Sequence, residues 1–174
     1  MTRHKLLQYL FRPSNINSKP ISCLICLLTL IYILFLNNVA FAIETPDWDK
    51  LVRVVIQVES GGDPHAVGSN NDVGLMQITP IVLKEYNQNK KLYNLGYYSI
   101  GHLYNPSINV KIGTWYLKRL YHYYKCSTIE QIAMSYNGGI TRARKNGFDL
   151  KKMPKSTQRY VKRVIKLYYK GGVK

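Results

Sequence analysis

At 174 residues, with 46% hydrophobic and 20% charged residues, the chain is long enough for one domain with a substantial core. Its 25 Lys and Arg outnumber nine Asp and Glu for a net charge of +16, which favours anionic partners: nucleic acid, a membrane surface or an anionic polymer such as cell wall. No nucleic-acid-binding motif, Gly-rich phosphate loop or nucleophile elbow is present, and His65, His102 and His122 lack ligand spacing, so neither nucleic acid, nor a cofactor, nor a metal is expected.

The first twenty residues carry Arg3, Lys5, Arg12 and Lys19 and no acid. An apolar run from Ile21 to Leu36 follows, then Val39-Ala40-Phe41-Ala42. Basic, apolar, Ala-x-Ala is the order of a secretory signal peptide, predicting a leader over 1–42 and an exported, periplasmic domain over 43–174. The run is slightly short for a spanning helix. The long basic arm keeps an uncleaved inner-membrane anchor as the alternative, the membrane then being met only through this segment. Beyond residue 43, 21 basic residues against nine acids leave +12, and Cys126 is the single cysteine, so no internal disulfide can form there.

A helix is predicted from Trp48 to Glu59, with Val52, Val55, Ile56 and Glu59 on one face at three- and four-residue spacing. Ser60-Gly61-Gly62-Asp63-Pro64 stops it. A carboxyl at a helix end, backed by valines and isoleucine, loses water, and desolvation raises its pKa. Glu59 is thereby a candidate general acid held protonated near neutral pH; the plain alternative is a charged residue at a helix rim.

The loop Gly61 to Asn71 is rich in Gly, Asp, Asn and Ser, and Gly74 to Ile78 carries the one strand signal. Thr79-Pro80 opens a helix to about Tyr86, and Asn87 to Gly101 reads as a polar, Tyr-rich loop. Asn105-Pro106 starts a longer helix with an apolar stripe of Ile108, Ile112, Trp115, Tyr116 and Leu120. Ser127-Thr128-Ile129-Glu130 has capping-box spacing and opens a helix to Tyr136, which Asn137-Gly138-Gly139 ends. Ser156 or Thr157 is expected to cap a last helix burying Tyr160, Val161, Val164, Ile165 and Tyr168. The exported part is mainly α.

Four pieces stand in order: Glu59-Ser60-Gly61-Gly62-Asp63-Pro64, Gly74-Leu75-Met76-Gln77-Ile78, Asn105-Pro106-Ser107-Ile108-Asn109 running on to Gly113, and Ser135-Tyr136-Asn137-Gly138-Gly139, with Tyr160-Val161 after them. Together they resemble the soluble lytic transglycosylases over about residues 47 to 170. The resemblance implies a lysozyme-like (α+β), mainly α single domain with a minor β or loop element. It also implies cleavage of the β-1,4 bond between N-acetylmuramic acid and N-acetylglucosamine of peptidoglycan, leaving a 1,6-anhydro end. Glu59 would be the catalytic acid, then the base. Met76 and Gln77 would line the cleft, Tyr136 and Asn137 would sit opposite Glu59, and Tyr160 would join them. Ser60 is expected to hydrogen-bond locally and Ser69 to meet substrate. Ser135 and Gly138 stand where the family usually has alanine. The short form also resembles specialised enzymes serving secretion, conjugation and pilus machineries, which would make such an apparatus a partner beside the glycan strands.

Two other readings compete. A goose-type muramidase on the same fold would use water held by Asp72 or Asp63, although Asp72 has the neighbours of a turn residue and Pro64 and two glycines break the helix that would align Asp63. A non-catalytic glycan-binding module would use the basic surface alone.

Overall fold

The computed structural model describes residues 27–32, 45–91 and 97–171, and divides the chain into two units, residues 1–44 and 45–174. In the first, residues 27–32 are helical and exposed; the rest of the predicted leader, including the Ala-x-Ala segment, lies outside the described residues. No helix among the described residues is long and apolar enough to cross a membrane.

Among the described residues the second unit has six α-helices: α1 Trp48–Glu59, α2 Pro80–Lys91, α3 Pro106–His122, α4 Ile129–Gly138, α5 Ile140–Lys145 and α6 Lys155–Lys170, with 3-10 turns at Ile100–Tyr104 and Leu150–Lys152. Helix α4 lies centrally, against α3, α5 and α6, while α1 packs on α6 and α3. The core collects Leu51, Val54 and Val55 of α1, Ile112, Leu117 and Leu120 of α3, Ile132 and Met134 of α4, and Val161 and Val164 of α6. The mainly helical expectation holds.

Several boundaries differ from the sequence reading, each for a local reason. The buried stripe of α1 is Leu51, Val54, Val55 and Val58; Val52, Ile56 and Glu59 form its half-buried flank. Asp47 caps the helix, accepting from the Lys50 N–H. Helix α2 runs on to Lys91 rather than stopping near Tyr86, because the Asn87 side chain both donates to the Tyr98 carbonyl and accepts from the Tyr98 N–H, tying the returning chain to the helix. The α4 cap is Thr128, which accepts from the Gln131 N–H, while Gln131 returns to the Ser127 N–H. The frame is therefore shifted one residue from Ser127–Glu130. Helix α6 begins at Lys155 after Pro154, so Ser156 and Thr157 are helical rather than capping, and Thr157 is buried. Ile165 is half-buried. Helix α5 was not foreseen.

Gly74 to Ile78 forms no strand. Single antiparallel bridges join Val67 to Val73 and Val73 to Ile78, folding the segment into a tight loop over the start of α3. Asn109 holds it there. Wholly buried, its Oδ1 accepts from the Met76 N–H at 2.9 Å and its Nδ2 donates to the carbonyls of Val73 and Leu103 at 2.8 and 2.9 Å. Two glycines make room. Gly74 has φ +79° and a Cβ there would stand 2.3 Å from Asn109 Nδ2; a Cβ on Gly113 would stand 2.3 Å from Met76 Sδ. Asn109→Ala removes three hydrogen bonds and leaves buried partners without water, so urea unfolding should show a loss of about 3–5 kcal/mol. A loss below 1 kcal/mol would mean the loop is held by its apolar contacts instead.

Candidate active site

Glu59 closes α1 and its carboxyl sits on the flank of that helix, half-buried between the Val73–Ile78 loop, α4 and α6. Loss of water pushes its pKa from an ordinary 4.5 up to about 7. The Tyr160 phenol beside it pulls the other way, the Asp72 carboxylate raises the value further, and the Arg163 guanidinium lowers it. Desolvation wins, as the valine and isoleucine pattern predicts.

Three segments bring the remaining groups in. At the end of α1, the Ser60 hydroxyl donates to the Leu75 carbonyl at 2.8 Å and its oxygen accepts from the Gly62 N–H, so Ser60 is a local brace between α1 and the loop. In the loop, Gln77 adopts φ +47° and its Nε2 donates to the carbonyls of Ala66 and Gly74, both at 3.0 Å. Its amide nitrogen thus closes the loop, leaving only the amide oxygen for a ligand. From α4, the Tyr136 hydroxyl donates to the Met76 carbonyl at 2.8 Å, joining helix to loop. Tyr136 and Tyr160 both feel the charge of Glu59, and with burial it keeps their phenols protonated.

Met76 is a correction. Expected as a soft wall of the cleft, its side chain is wholly buried against Gly113, because the N–H bond to Asn109 turns it inward. It serves the site through its backbone carbonyl. Asn137 and Ser69 are both exposed, Asn137 beside Tyr136 and Ser69 at the tip of the loop after α1. Gly138, the departure from alanine, faces Met153: a Cβ there would stand 2.4 Å from the Met153 methyl. Ser135 is buried with its hydroxyl 3.5 Å from Cys126 Sγ.

Tyr160 carries the most informative feature. Its hydroxyl is buried and completes no hydrogen bond among the described residues, though it lies close enough to Glu59 to favour the ionised carboxylate. It is a donor beside the Glu59 carboxyl and favours the anion there.

The other acids are committed elsewhere. Asp72 Oδ1 accepts from the Asn70 N–H at 3.0 Å while Asp72 packs against Gly68, and Asp63 Oδ1 accepts from the His65 N–H at 2.8 Å. Both make turns. Among the described residues no group of His, Cys, Asp and Glu is arranged to hold a metal. The position that sequence reasoning undervalued is Asn109. Its signal was a polar residue at a register that buries it beside Ile112, where an amide survives only with all its bonds made.

Residues 42–159 match the family model described as the transglycosylase SLT domain. The chain is 40% identical over 74 residues to the membrane-bound lytic murein transglycosylase E of Buchnera aphidicola (subspecies Acyrthosiphon pisum), covering 41% of this chain and 32% of that protein. It is 42% identical over 77 residues to the endo-type membrane-bound lytic murein transglycosylase A of Cronobacter sakazakii, covering 42% and 36%. It thus spans about a third of the length of these curated relatives. Among solved structures, the 70 kDa soluble lytic transglycosylase SLT70 of Escherichia coli superposes with a TM-score of 0.59 at 27% identity, over 75% of this chain and 23% of that one. An inactive mutant of lytic transglycosylase Slt from Pseudomonas aeruginosa gives 0.58 at 20% identity, over 71% and 21%, a likeness of fold.

The raised pKa of Glu59 has a consequence for stability. Between pH 4.5 and about 7 the folded carboxyl keeps a proton that the unfolded chain releases, so stability falls as pH rises through this window. The penalty is absent below 4.5 and complete above about 7, at roughly 3 kcal/mol. Glu59→Gln should therefore be more stable than wild type at pH 8 by up to about 3 kcal/mol, and equal to it near pH 4. Thermal or urea unfolding at the two pH values measures this; equal stability at both would place the carboxyl in water.

Proposed function

The chain belongs to the transglycosylase SLT domain family, and from that premise we propose that it is a lytic transglycosylase of peptidoglycan. In this reading it cleaves the β-1,4 bond between N-acetylmuramic acid and N-acetylglucosamine. The observation that carries the proposal is Glu59, a carboxyl desolvated until its pKa is about 7, with the buried Tyr160 hydroxyl beside it.

The sequence of proton movements uses one side chain twice. Neutral Glu59 gives its proton to the glycosidic oxygen as the C1–O bond breaks, and the N-acetylglucosamine side leaves as an alcohol. The carboxylate left behind is met by the neighbouring Tyr160 hydroxyl, which favours the anion. Glu59 then takes the proton of the muramoyl C6 hydroxyl as that oxygen bonds to C1, and the 1,6-anhydro ring closes. Acid and base are both restored, and no water enters. A pKa near 7 suits both steps, since a stronger acid would be a poor base and the reverse. Because the nucleophile is the substrate's own hydroxyl, a second carboxylate is unnecessary.

Supporting roles follow the same reading. Tyr136 fixes the Met76 carbonyl and with it the loop wall. Gln77 offers its amide oxygen to an N-acetyl or hydroxyl group, the exposed Asn137 and Ser69 are free to meet substrate, and Ser60 braces Glu59's helix end. The muramidase alternative needs a base holding water on the far face of the sugar. Asp72, the nearest candidate, spends an oxygen on its own turn, which weighs against it. The exported location, the division into a leader over 1–42 and a domain over 43–174, and service to a secretion or pilus apparatus rest on the sequence pattern and are part of the proposal.

Digestion of purified sacculi, with released fragments weighed by mass spectrometry, tests it. Wild type should yield anhydro ends; Glu59→Gln, still folded, should lose at least about a hundredfold in rate. Reducing ends alone would establish the muramidase instead, and equal activity in the mutant would remove Glu59 from the chemistry. Wild-type kcat/KM should fall as pH rises above about 7 and the carboxyl ionises. Tyr160→Phe removes the group that favours the anion, so this falling limb should move to higher pH. An unmoved limb would mean the phenol does not serve Glu59.

A further inference from the structure

Helix α6 contains no acid. It carries Arg163, which acts on Glu59, and five further cations. These five, Lys155, Arg159, Lys162, Lys166 and Lys170, are all exposed and recur every three or four residues. At 3.6 residues per turn they fall within an arc of about 80° and run the length of the helix, about 22 Å. Among the described residues no acid pairs with any of them, the ion pairs there being Arg119–Glu85 and Lys152–Asp149. Like charges one turn apart on a helix destabilise it. The stripe is therefore a standing repulsion that an anionic partner would relieve.

At its C-terminal end the stripe meets aromatic rings. Tyr169 is 66% exposed. Its neighbour Tyr168 accepts from the Asp47 N–H on its hydroxyl at 2.9 Å and lies under Lys50 Nζ, so the last turn of α6 is joined to the start of α1. There Trp48 is half-buried, edge-on to Tyr121 of α3 with ring centres 5.6 Å apart, and Lys118 Nζ stands 5.8 Å from its ring. Indole and phenol rings among lysines are the composition of a membrane–water interface, where rings sit at headgroup level and lysine stems reach past them to charged groups. A soluble polyanion would use the cations and leave the rings idle. A lipid surface uses both. In sequence, α1 opens shortly after the apolar run Ile21 to Leu36, whose own composition points to a membrane.

We propose that the outward face of α6, with the rings of Trp48, Tyr121 and Tyr169 at its end, is a docking surface for anionic phospholipid headgroups. Lys162, Lys166 and Lys170 meet the phosphates as point charges, with Lys50 and Lys118 beside the rings. This contact is separate from the apolar run and stands independently of the transglycosylase reading. Tyr160 lies about 120° around α6 from the middle of the stripe. One face of the helix thus serves the candidate site and another the lipid surface.

The measurement is the partition of the full chain, by sedimentation, onto vesicles of phosphatidylcholine alone and of phosphatidylcholine with phosphatidylglycerol. The basic arm and apolar run are the same in every variant, so the acidic-over-neutral ratio is compared between proteins. Lys162→Gln, Lys166→Gln and Lys170→Gln together should lower that ratio at least about tenfold, since each lysine at an anionic surface contributes about fivefold. Lys84→Gln, Lys111→Gln and Lys145→Gln, an equal loss of exposed charge elsewhere, should leave it unaltered. With Trp115→Phe, Trp48 is the single tryptophan. Brominated lipid in the acidic vesicles should then quench it more in the chain with its stripe intact than in the stripe variant. A ratio moved by neither set of substitutions, or equally by both, overturns the inference, as does equal quenching. Loss of binding to soluble polyphosphate with an unmoved vesicle ratio also overturns it, assigning the stripe to a polymer instead.

Discussion

One buried amide sets the geometry on which the candidate site depends. The side chain of Asn109 spends one acceptor and two donors on the backbone of Val73, Met76 and Leu103. A loop with almost no regular ladder is thereby fixed to the longest helix. From that anchored loop the Met76 carbonyl receives the Tyr136 hydroxyl and the Leu75 carbonyl receives the Ser60 hydroxyl. Helices α1 and α4, far apart in sequence, are thus measured against the same short segment. In a low-dielectric interior such bonds are strong when complete and costly when broken, so the loop has one position.

Against this fixed wall the electrostatics of Glu59 become a balance rather than an accident. Burial drives its proton on, Tyr160 and Arg163 favour taking it off, and Asp72 keeps it on. No single influence leaves the carboxyl fully neutral or fully charged at neutral pH. The positive charge is spread over many Lys and Arg, yet the cation that acts on Glu59 is Arg163. The net positive charge of the chain therefore does not force Glu59 to ionise, because burial outweighs it at that carboxyl.

Much of this was legible in the chain. Apolar residues at helical spacing located α1, α3, α4 and α6, and the glycine-rich stops located the ends of α1 and α4. Glu59 was visible because a carboxylate beside valines and an isoleucine breaks the usual division of faces. What the pattern hid was tertiary. The α1 stripe was misplaced by one residue, since Val52 and Leu51 are equally apolar and only packing on α6 and α3 decides between them. Met76 reads as a cleft residue until the Asn109 bond turns it inward. The length of α2 depended on Asn87 meeting Tyr98 eleven residues later, and the cap of α6 on Pro154.

The domain has no covalent brace. Cys126 is its single thiol, sealed beneath α4 beside Ser135, and what holds the described residues together is hydrogen bonds, apolar contacts and ion pairs such as Arg119–Glu85. Helical folds of this kind form largely from neighbours along the chain and close quickly. Such a polypeptide can regain its shape after unfolding without waiting for any oxidising machinery. Its sulfur, shielded from solvent, also offers nothing for a stray partner to cross-link.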